Sequence, residues 1–546
     1  MAIFTGPFTL ARAVRVAAGD AITAAGVEDA LATLAAKSLL VTNRPDGLPR
    51  VRPGPCQPHE FQLYASVRHH ALALLAQDDP VFSRFAADCA QLAAAPGNDV
   101  RHLSDVRAAL AWGFGPHGEP GPAAALLAAS VPLWWEAAEL PGLRRWLETA
   151  LQCNGPHQAP DAVRDTVLDA QLATQLATAL GTVCVYLEGA GAGHAAYARA
   201  FTLAEYLGDA DQMADAFSGL VLEHVLAGDY RAAVALAQRF HEGLRGAGSR
   251  PAQLVHDRFA ALALHLSGEQ ALAAPLARAV QNATVPAVCT GRRTALHTDE
   301  NVAATAVLAR SRWLLGHPDD ALRLARNGVL RARAVGADAP LCQVLAFAMF
   351  PVAWWCGDRA AALAALAELE DAARRLPHWE TLARQYRHGI VEDAPGGWLS
   401  KAPAAGPHRE TLATLSARYA DGTGGWGDAR WCTAELRRLQ GERLLARGDP
   451  AALGSAEHLF RSALLLARNQ GALGWELRAA TSLARLWHGR GAAGGAQALL
   501  ELVVARYTEG FRTADLLAAS RLLAQWQRRK KTGAASVDGA SAGLVS

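Results

Sequence analysis

From residue 81 to about 527, apolar residues recur at three- and four-residue spacing, the period of helices that bury one face. The breaks between these runs are short and rich in Gly, Asp and Pro, and strand-like alternation is nearly absent. The predicted helices come in pairs. In residues 309–335, Trp313, Leu314 and Leu315 lie on a first helix, and Gly316-His317-Pro318-Asp319 makes the turn. Ala321, Leu322, Ala325 and Val329 mark the inner face of the second, where small side chains let two helices approach closely. The same plan recurs in 216–240, turning at Gly228-Asp229, and in 345–366, turning at Gly357-Asp358. It recurs again in 431–467 near Gly448-Asp449 and in 475–504 near Gly489 to Gly495. The Gly is suited to the left-handed residue that ends one helix, and the Asp to capping the next. One helix hairpin cannot bury its apolar face alone, so pairs repeated every ~35–45 residues stack and share a core. The predicted fold is all-α, a tetratricopeptide-like α-solenoid.

The first 77 residues follow a different pattern. Helices are predicted over 11–18 and 27–36, short strands over 38–42 and 60–64, and a further helix over 66–77. A Pro-, Gly- and Arg-rich loop fills 43–59, and the second strand is expected to pair with residues 39–41. This order suggests a small, partial winged-helix-like module. The expected organisation is that module over 1–77, helical repeats over 78–390, and a loose Gly/Pro-rich connection over 391–427. Further repeats follow over 428–527, with a polar, disordered tail over 528–546.

Composition narrows the function. Half of the 546 residues are apolar and the net charge is only +2, which implies neither a nucleic-acid nor a membrane-surface partner. The only lysines are Lys37, Lys401, Lys530 and Lys531, so Arg carries the positive charge throughout and marks no particular site. Cys56, Cys89, Cys153, Cys184, Cys289, Cys342, Cys356 and Cys432 are scattered without a CxxC pair, the pattern of buried free thiols. The N-terminus lacks a basic stretch followed by an apolar one, and Pro132 interrupts the apolar run 123–135. A cytoplasmic location is expected.

Two literal motifs lack the context that their chemistry needs. Gly422-Thr423-Gly424-Gly425-Trp426-Gly427 fits GxGxxG, but a dinucleotide site needs a strand before that turn, and 410–420 reads as helix. Gly539-Ala540-Ser541-Ala542-Gly543 fits GxSxG but lies far from any predicted α/β sheet. His69-His70 has no carboxylate or thiol at ligand spacing, and Asp319-Asp320 suits a helix start. Arg528-Arg529-Lys530-Lys531 could touch phosphates and equally suits a helix end. Arg50, Arg52 and Arg68 could suggest DNA contact, yet the candidate reading helix, 27–36, carries Glu28 and Asp29 among apolar groups. Trp112, Trp134, Trp135, Trp354, Trp355, Trp426, Trp431 and Trp475 are candidate anchors in a groove or packing between helices.

Four stretches carry a resemblance to a known family: ALATLAAKSLL (30–40) with FQLYASVRHHALALL (61–75); residues 103–151, beginning LSDVRAALAWGF; residues 431–487, ending WELRAATSLARLW; and 507–519, beginning YTEGFRTADL. Together they resemble the C-terminal half of bacterial STAND-type ATPase regulators. In that family a DNA-binding winged helix precedes an NTPase, and a second winged helix leads into a tetratricopeptide-like sensor. The P-loop pattern GxxxxGK[ST] is absent, since no Gly directly precedes any lysine. By the resemblance, no DNA-reading domain is expected, and the chain is expected to begin inside the second winged helix. By resemblance this is a sensor half whose partner NTPase acts in trans, and the second winged helix packs internally and does not read DNA.

The expected function is non-catalytic binding of a protein segment or small effector in the concave groove, in signal transduction linked to transcription. No catalytic, cofactor or metal residues are assigned, and no membrane partner is expected. Two other readings remain open: a non-functional fragment of a longer ATP-dependent regulator, and an enzyme with a dispersed site.

Overall fold

The computed structural model describes residues 1–19, 22–43, 60–76, 79–95, 99–152, 169–245, 249–283, 299–391, 406–416, 430–448 and 451–541. The described chain is overwhelmingly helical, built of stacked tetratricopeptide-like helix pairs. Two of the predicted turns show the chemistry clearly. Gly228 and Gly357 take φ of 75° and 82°, a left-handed conformation that only glycine adopts without strain. The following residues cap the next helices: Asp229 accepts from the Ala232 amide at 3.1 Å, and Asp358 from the Ala361 amide at 3.0 Å. The chain divides into two compact units, one centred on Met1–Leu220 and one comprising Val221–Thr290 and His297–Ser546.

In the first unit, helices Leu10–Ala17 and Ala24–Ala36 are each capped by a threonine, Thr9 and Thr23. Strands Leu40–Asn43 and Glu60–Leu63 pair antiparallel, with Leu40 opposite Leu63 and Thr42 opposite Phe61. A third strand, Phe8–Thr9, pairs on the free side of Glu60–Leu63. At two residues it is too short to show a period in the sequence. The helix Ala65–Ala73 follows. The buried guanidinium of Arg12 joins this region to helices Val81–Ala94 and Leu103–Gly113, meeting Asp88 at 2.8 Å and Asp105 at 3.0 Å. Asp105 also accepts from the amides of Thr5 and Gly6 and the Thr5 hydroxyl, so its lone pairs are used, as a buried carboxylate requires. Further on, the Tyr197 ring fills the space over Gly181 and Gly219. A Cβ on Gly219 would sit 2.1 Å from that ring, so glycine is what lets the helices close.

In the second unit, helices Glu300–Leu314 and Leu473–Gly489 are buried on nearly every side. They pack on each other although far apart in sequence. Trp313 meets Trp475 with ring centroids 4.6 Å apart, and a Cβ on Gly474 would lie 3.0 Å from the Trp313 ring. Next to this contact, the Gly510 amide donates to Asp319 at 2.8 Å and the Asp320 amide to Glu509 at 3.2 Å. The second unit is therefore more than a chain of neighbouring pairs.

Three expectations are corrected. Pro132 does not break its helix, which runs over Pro120–Glu136; the apolar packing of Leu126, Leu127, Leu133 and Trp134 outweighs the one lost hydrogen bond. The last helix, Ala514–Ser541, runs through residues 528–541, where a disordered tail was expected. Extending a helix costs much less than starting one, and Arg, Lys and Ala at 528–535 are good helix formers. Within the stretch 391–427, expected as a loose connection, residues Pro407–Leu415 form a well-buried helix. By length and composition alone, Ala170–Glu188 and Asp338–Cys356 would suffice to cross a membrane; the second is 78% buried by its neighbours, as a core helix is.

Candidate functional site

The candidate site lies in the second unit and begins with a break in helical geometry. Pro351 has no N–H, so the Phe347 carbonyl four residues earlier loses its α-helical partner. The chain takes a π-helical turn over Leu345–Met349. Two carbonyls of this turn find side-chain donors: Tyr386 donates to Ala346 O at 2.8 Å, and Arg310 Nη1 to Phe347 O at 2.9 Å.

Arg310 is completely buried. Its guanidinium carbon sits 4.2 Å from the Phe347 ring centre, 4.3 Å from that of Trp431 and 5.1 Å from that of Trp355. The faces of these rings attract a cation. Nε donates to His265 Nε2 at 3.0 Å, which fixes His265 as the tautomer protonated on Nδ1. That Nδ1 donates to Gln270 Oε1 at 2.7 Å, and the Gln270 amide returns a bond to the His265 carbonyl at 2.8 Å. Burial, with the Arg310 charge beside it, pushes the His265 pKa down to about 3, so the ring is neutral. Burial pushes Arg310 down to about 10, still a cation at neutral pH. It has no carboxylate in direct contact, and Nη2 has no acceptor among the described residues.

The wall opposite the π turn is the short helix Pro407–Leu415. Thr411 accepts from Arg310 Nη1 at 3.1 Å. Glu410 is fully buried and accepts from Arg430 Nη1 at 2.6 Å and from Trp431 Nε1 at 2.7 Å. Burial raises the Glu410 pKa, and neighbouring Tyr230 together with the bonds from Arg430 and Trp431 acts against that rise. Gly406, at φ 94°, enters the helix so close to the helix ending at Ala227 that a Cβ would lie 2.7 Å from the Leu226 carbonyl oxygen. His408 is half-buried, with its pKa pushed down to about 3 by desolvation and by neighbouring His378. One nine-residue helix is thus held by side chains or backbone from several separate helices of the array.

A second arginine, Arg478, is largely but not fully buried and has different surroundings. Arg478 Nε donates to Asp515 at 2.8 Å, Nη1 to Glu435 at 3.0 Å and Nη2 to the Trp355 carbonyl at 3.0 Å. Its guanidinium lies 5.2 Å from both the Trp313 and Trp475 rings. Arg438 adds two bonds to Glu435, and these cations hold its pKa below the usual range despite burial.

Of the tryptophans singled out, Trp134, Trp355, Trp431 and Trp475 are buried between helices, and Trp431 and Trp355 wall the Arg310 site. Trp112 stacks on Phe82, Trp135 meets Tyr186 edge-on, and Trp354 carries the Arg359 guanidinium. His69 and His70 are exposed on their helix. Arg68 donates to the Phe4 carbonyl at 2.8 Å, an internal bond. Asp319 and Asp320 open a helix as expected, and also hold the backbone at Gly510 and Glu509. Gly539 to Ser541 are helical, and Arg528 is exposed near the start of that stretch. Arg50, Arg52, Trp426 and the GxGxxG stretch lie outside the described residues. Sequence reasoning missed Arg310, His265, Glu410 and Thr411. One signal was available: Arg310-Ser311 interrupts a run, ENVAATAVLARSRWLL, that is otherwise apolar enough to be buried all round.

No protein-family model matches the chain, and no curated protein matches it significantly. Among solved structures it is similar to a Rap protein complexed with competence and sporulation factor, at 10% identity over 74% of this chain and 99% of that one, with a TM-score of 0.38. Yeast Tom70 is similar at 11% identity over 85% and 92%, with a TM-score of 0.28. The human IFIT1 dimer with PPP-AAAA is similar at 11% identity over 80% and 92%, with a TM-score of 0.30.

Proposed function

We propose that this chain is a non-catalytic binding module whose helix pairs grip a helical protein segment. The observation that carries this reading is the grip itself: Pro407–Leu415 is seated by Arg310, by Arg430 and Trp431 in the turn before the helix Thr433–Ala446, and by the backbone at Leu226. A helix held in a groove by a few anchors is a common mode of peptide recognition. The sequence segments that resemble STAND-type regulators support a sensor role, with the effector either a protein segment or a small molecule and the NTPase supplied in trans. The helix, helix, hairpin, helix order over residues 1–77 fits a partial winged helix. Its helix Ala24–Ala36 exposes Glu28 and Asp29, which disfavours contact with DNA.

The test is selection of a displayed library of helical peptides on the purified chain, alongside an assay for ATP turnover. A family of related peptides is expected to be enriched, with no nucleotide turned over. A library from which nothing is enriched, or turnover of ATP by the chain alone, overturns the reading.

A further inference from the structure

We propose that the helix Pro407–Leu415 is an intramolecular stand-in for the partner, and that the segment displacing it is a helix carrying carboxylates at the two positions filled here by Glu410 and Thr411. This rests on the binding reading above and adds the identity of the occupant, the chemistry of its competitor and a means of regulation.

Three observations converge. The first is the chemistry of the seat. Toward the side chains of Glu410 and Thr411 the described residues present donors: Arg430 and Trp431 Nε1 to Glu410, and Arg310 to Thr411. Such a seat selects acceptors, and carboxylates above all. The second is the mismatch at Arg310. Thr411 supplies one hydroxyl oxygen, shared with its own bond to the Pro407 carbonyl at 2.7 Å, while Nη2 has no acceptor among the described residues. A carboxylate offers two oxygens to the paired N–H groups of a guanidinium and neutralises its charge. The resident helix is therefore a weaker match to the seat than an acidic segment. In a permanent core element, leaving a buried cation unpaired has only a cost; in a replaceable occupant it leaves room for competition.

The third observation is the way the helix is attached. It interrupts the succession of helix pairs and is joined to the rest of the unit by residues 392–405 and 417–429. Covalent attachment gives the stand-in a high effective concentration, which a competitor must overcome by better contacts.

The experiment uses the full chain and two fluorescein-labelled peptides: residues 406–416, GPHRETLATLS, and the same peptide with Thr411→Asp. Anisotropy reports peptide binding, and amide hydrogen exchange reports the state of residues 407–415 in the chain. Two chain variants loosen the resident helix. Glu410→Ala removes its grip on Arg430 and Trp431. Gly406→Ala strains its entry by pressing on the Leu226 carbonyl, leaves the donors Arg310, Arg430 and Trp431 untouched, and serves where the first variant loses its fold.

The loosened chain is expected to bind both peptides, the Asp peptide at least tenfold more tightly than the Thr peptide. The wild-type chain is expected to bind each at least tenfold more weakly than the loosened chain does. Saturating wild type with the Asp peptide is expected to speed exchange at 407–415. Equal binding by wild-type and loosened chains, or no gain from the Asp, overturns the proposal. So does a helix that stays protected in both variants; library peptides that still bind would then leave the binding reading standing. A freed helix with no binding of either peptide, and no library enrichment, would overturn both.

Discussion

Arg310, fully buried, and Arg478, with 15% of its side chain exposed, both lie in the second unit among tryptophan rings, and both donate to a carbonyl of the segment 347–355. Only Arg478 meets carboxylates, those of Asp515 and Glu435. Arg310 meets a ring nitrogen, a carbonyl and a hydroxyl, and one of its nitrogens is left over. A buried charge with all its partners in place is part of a fold's own architecture. A buried charge short of a partner departs from the rule that interiors satisfy their polar groups, and such departures gather where a protein does something. The contrast separates a structural node from a site with capacity to spare.

The largest effect should come from Arg478→Met. It leaves Asp515 without its cation and Glu435 with Arg438 alone, at an expected cost of about 3–5 kcal/mol. Urea unfolding followed by tryptophan fluorescence measures this, and a loss below ~1 kcal/mol would erase the distinction.

Next in size is the response to pH. The folded pKa values of His265 and His408, both about 3, lie below the ordinary value of 6.5. The unfolded chain therefore takes up these protons first, and the stability they contribute is full above pH 6.5 and lost as pH falls below it. Each ring changes stability by about 1.4 kcal/mol per pH unit across that window. Glu410, raised by burial, runs the other way and offsets part of the loss. Glu435 is held low, so its contribution is full above the ordinary 4.5 and lost only as pH falls below that. Amide exchange at 407–415 should therefore accelerate between pH 6.5 and 4.5, while 473–489 stays protected. Acceleration of both segments together would mean that they are one cooperative element.

Arg310→Met should cost less than Arg478→Met, about 1–2 kcal/mol, since it strands a carbonyl and a hydroxyl but removes an unpaired charge. Equal losses from the two would make Arg310 as structural as Arg478. The smallest effect belongs to a remote control. Asp358→Ala removes a helix cap for about 1 kcal/mol and should leave the exchange pattern of both sites unchanged.

The sequence revealed the helix pairs because burial of one face writes a period into the chain, and the Gly-Asp turns because left-handed caps need particular residues. It revealed the pairing of 39–41 with 61–64 through two short apolar runs, but not the third strand, Phe8–Thr9. The node at Arg478 joins two of the segments that carry the family resemblance, with Trp475 and Arg478 in one and Asp515 in the other. The site at Arg310 was hidden for a physical reason. Its parts come from residues 265, 310, 347, 410 and 431, and only folding brings them together. The helical reading of 410–420 overlaps the helix Pro407–Leu415, but the Gly- and Pro-rich sequence around it concealed its burial, which depends on partners about a hundred residues away.

The contact between Glu300–Leu314 and Leu473–Gly489 bears on how the chain is made. An array held only by nearest neighbours can fold pair by pair as it leaves the ribosome. Here Trp313 waits for Trp475, Asp319 for Gly510, and the Trp355 carbonyl for Arg478. At ~5–20 residues per second, the stretch between residues 357 and 515 takes about 8–30 s to synthesise. For that interval the apolar face around Trp313 and Trp355 has no cover from its final partners. The nascent chain is then exposed to aggregation, and a chaperone that shields aromatic surface has its clearest opportunity.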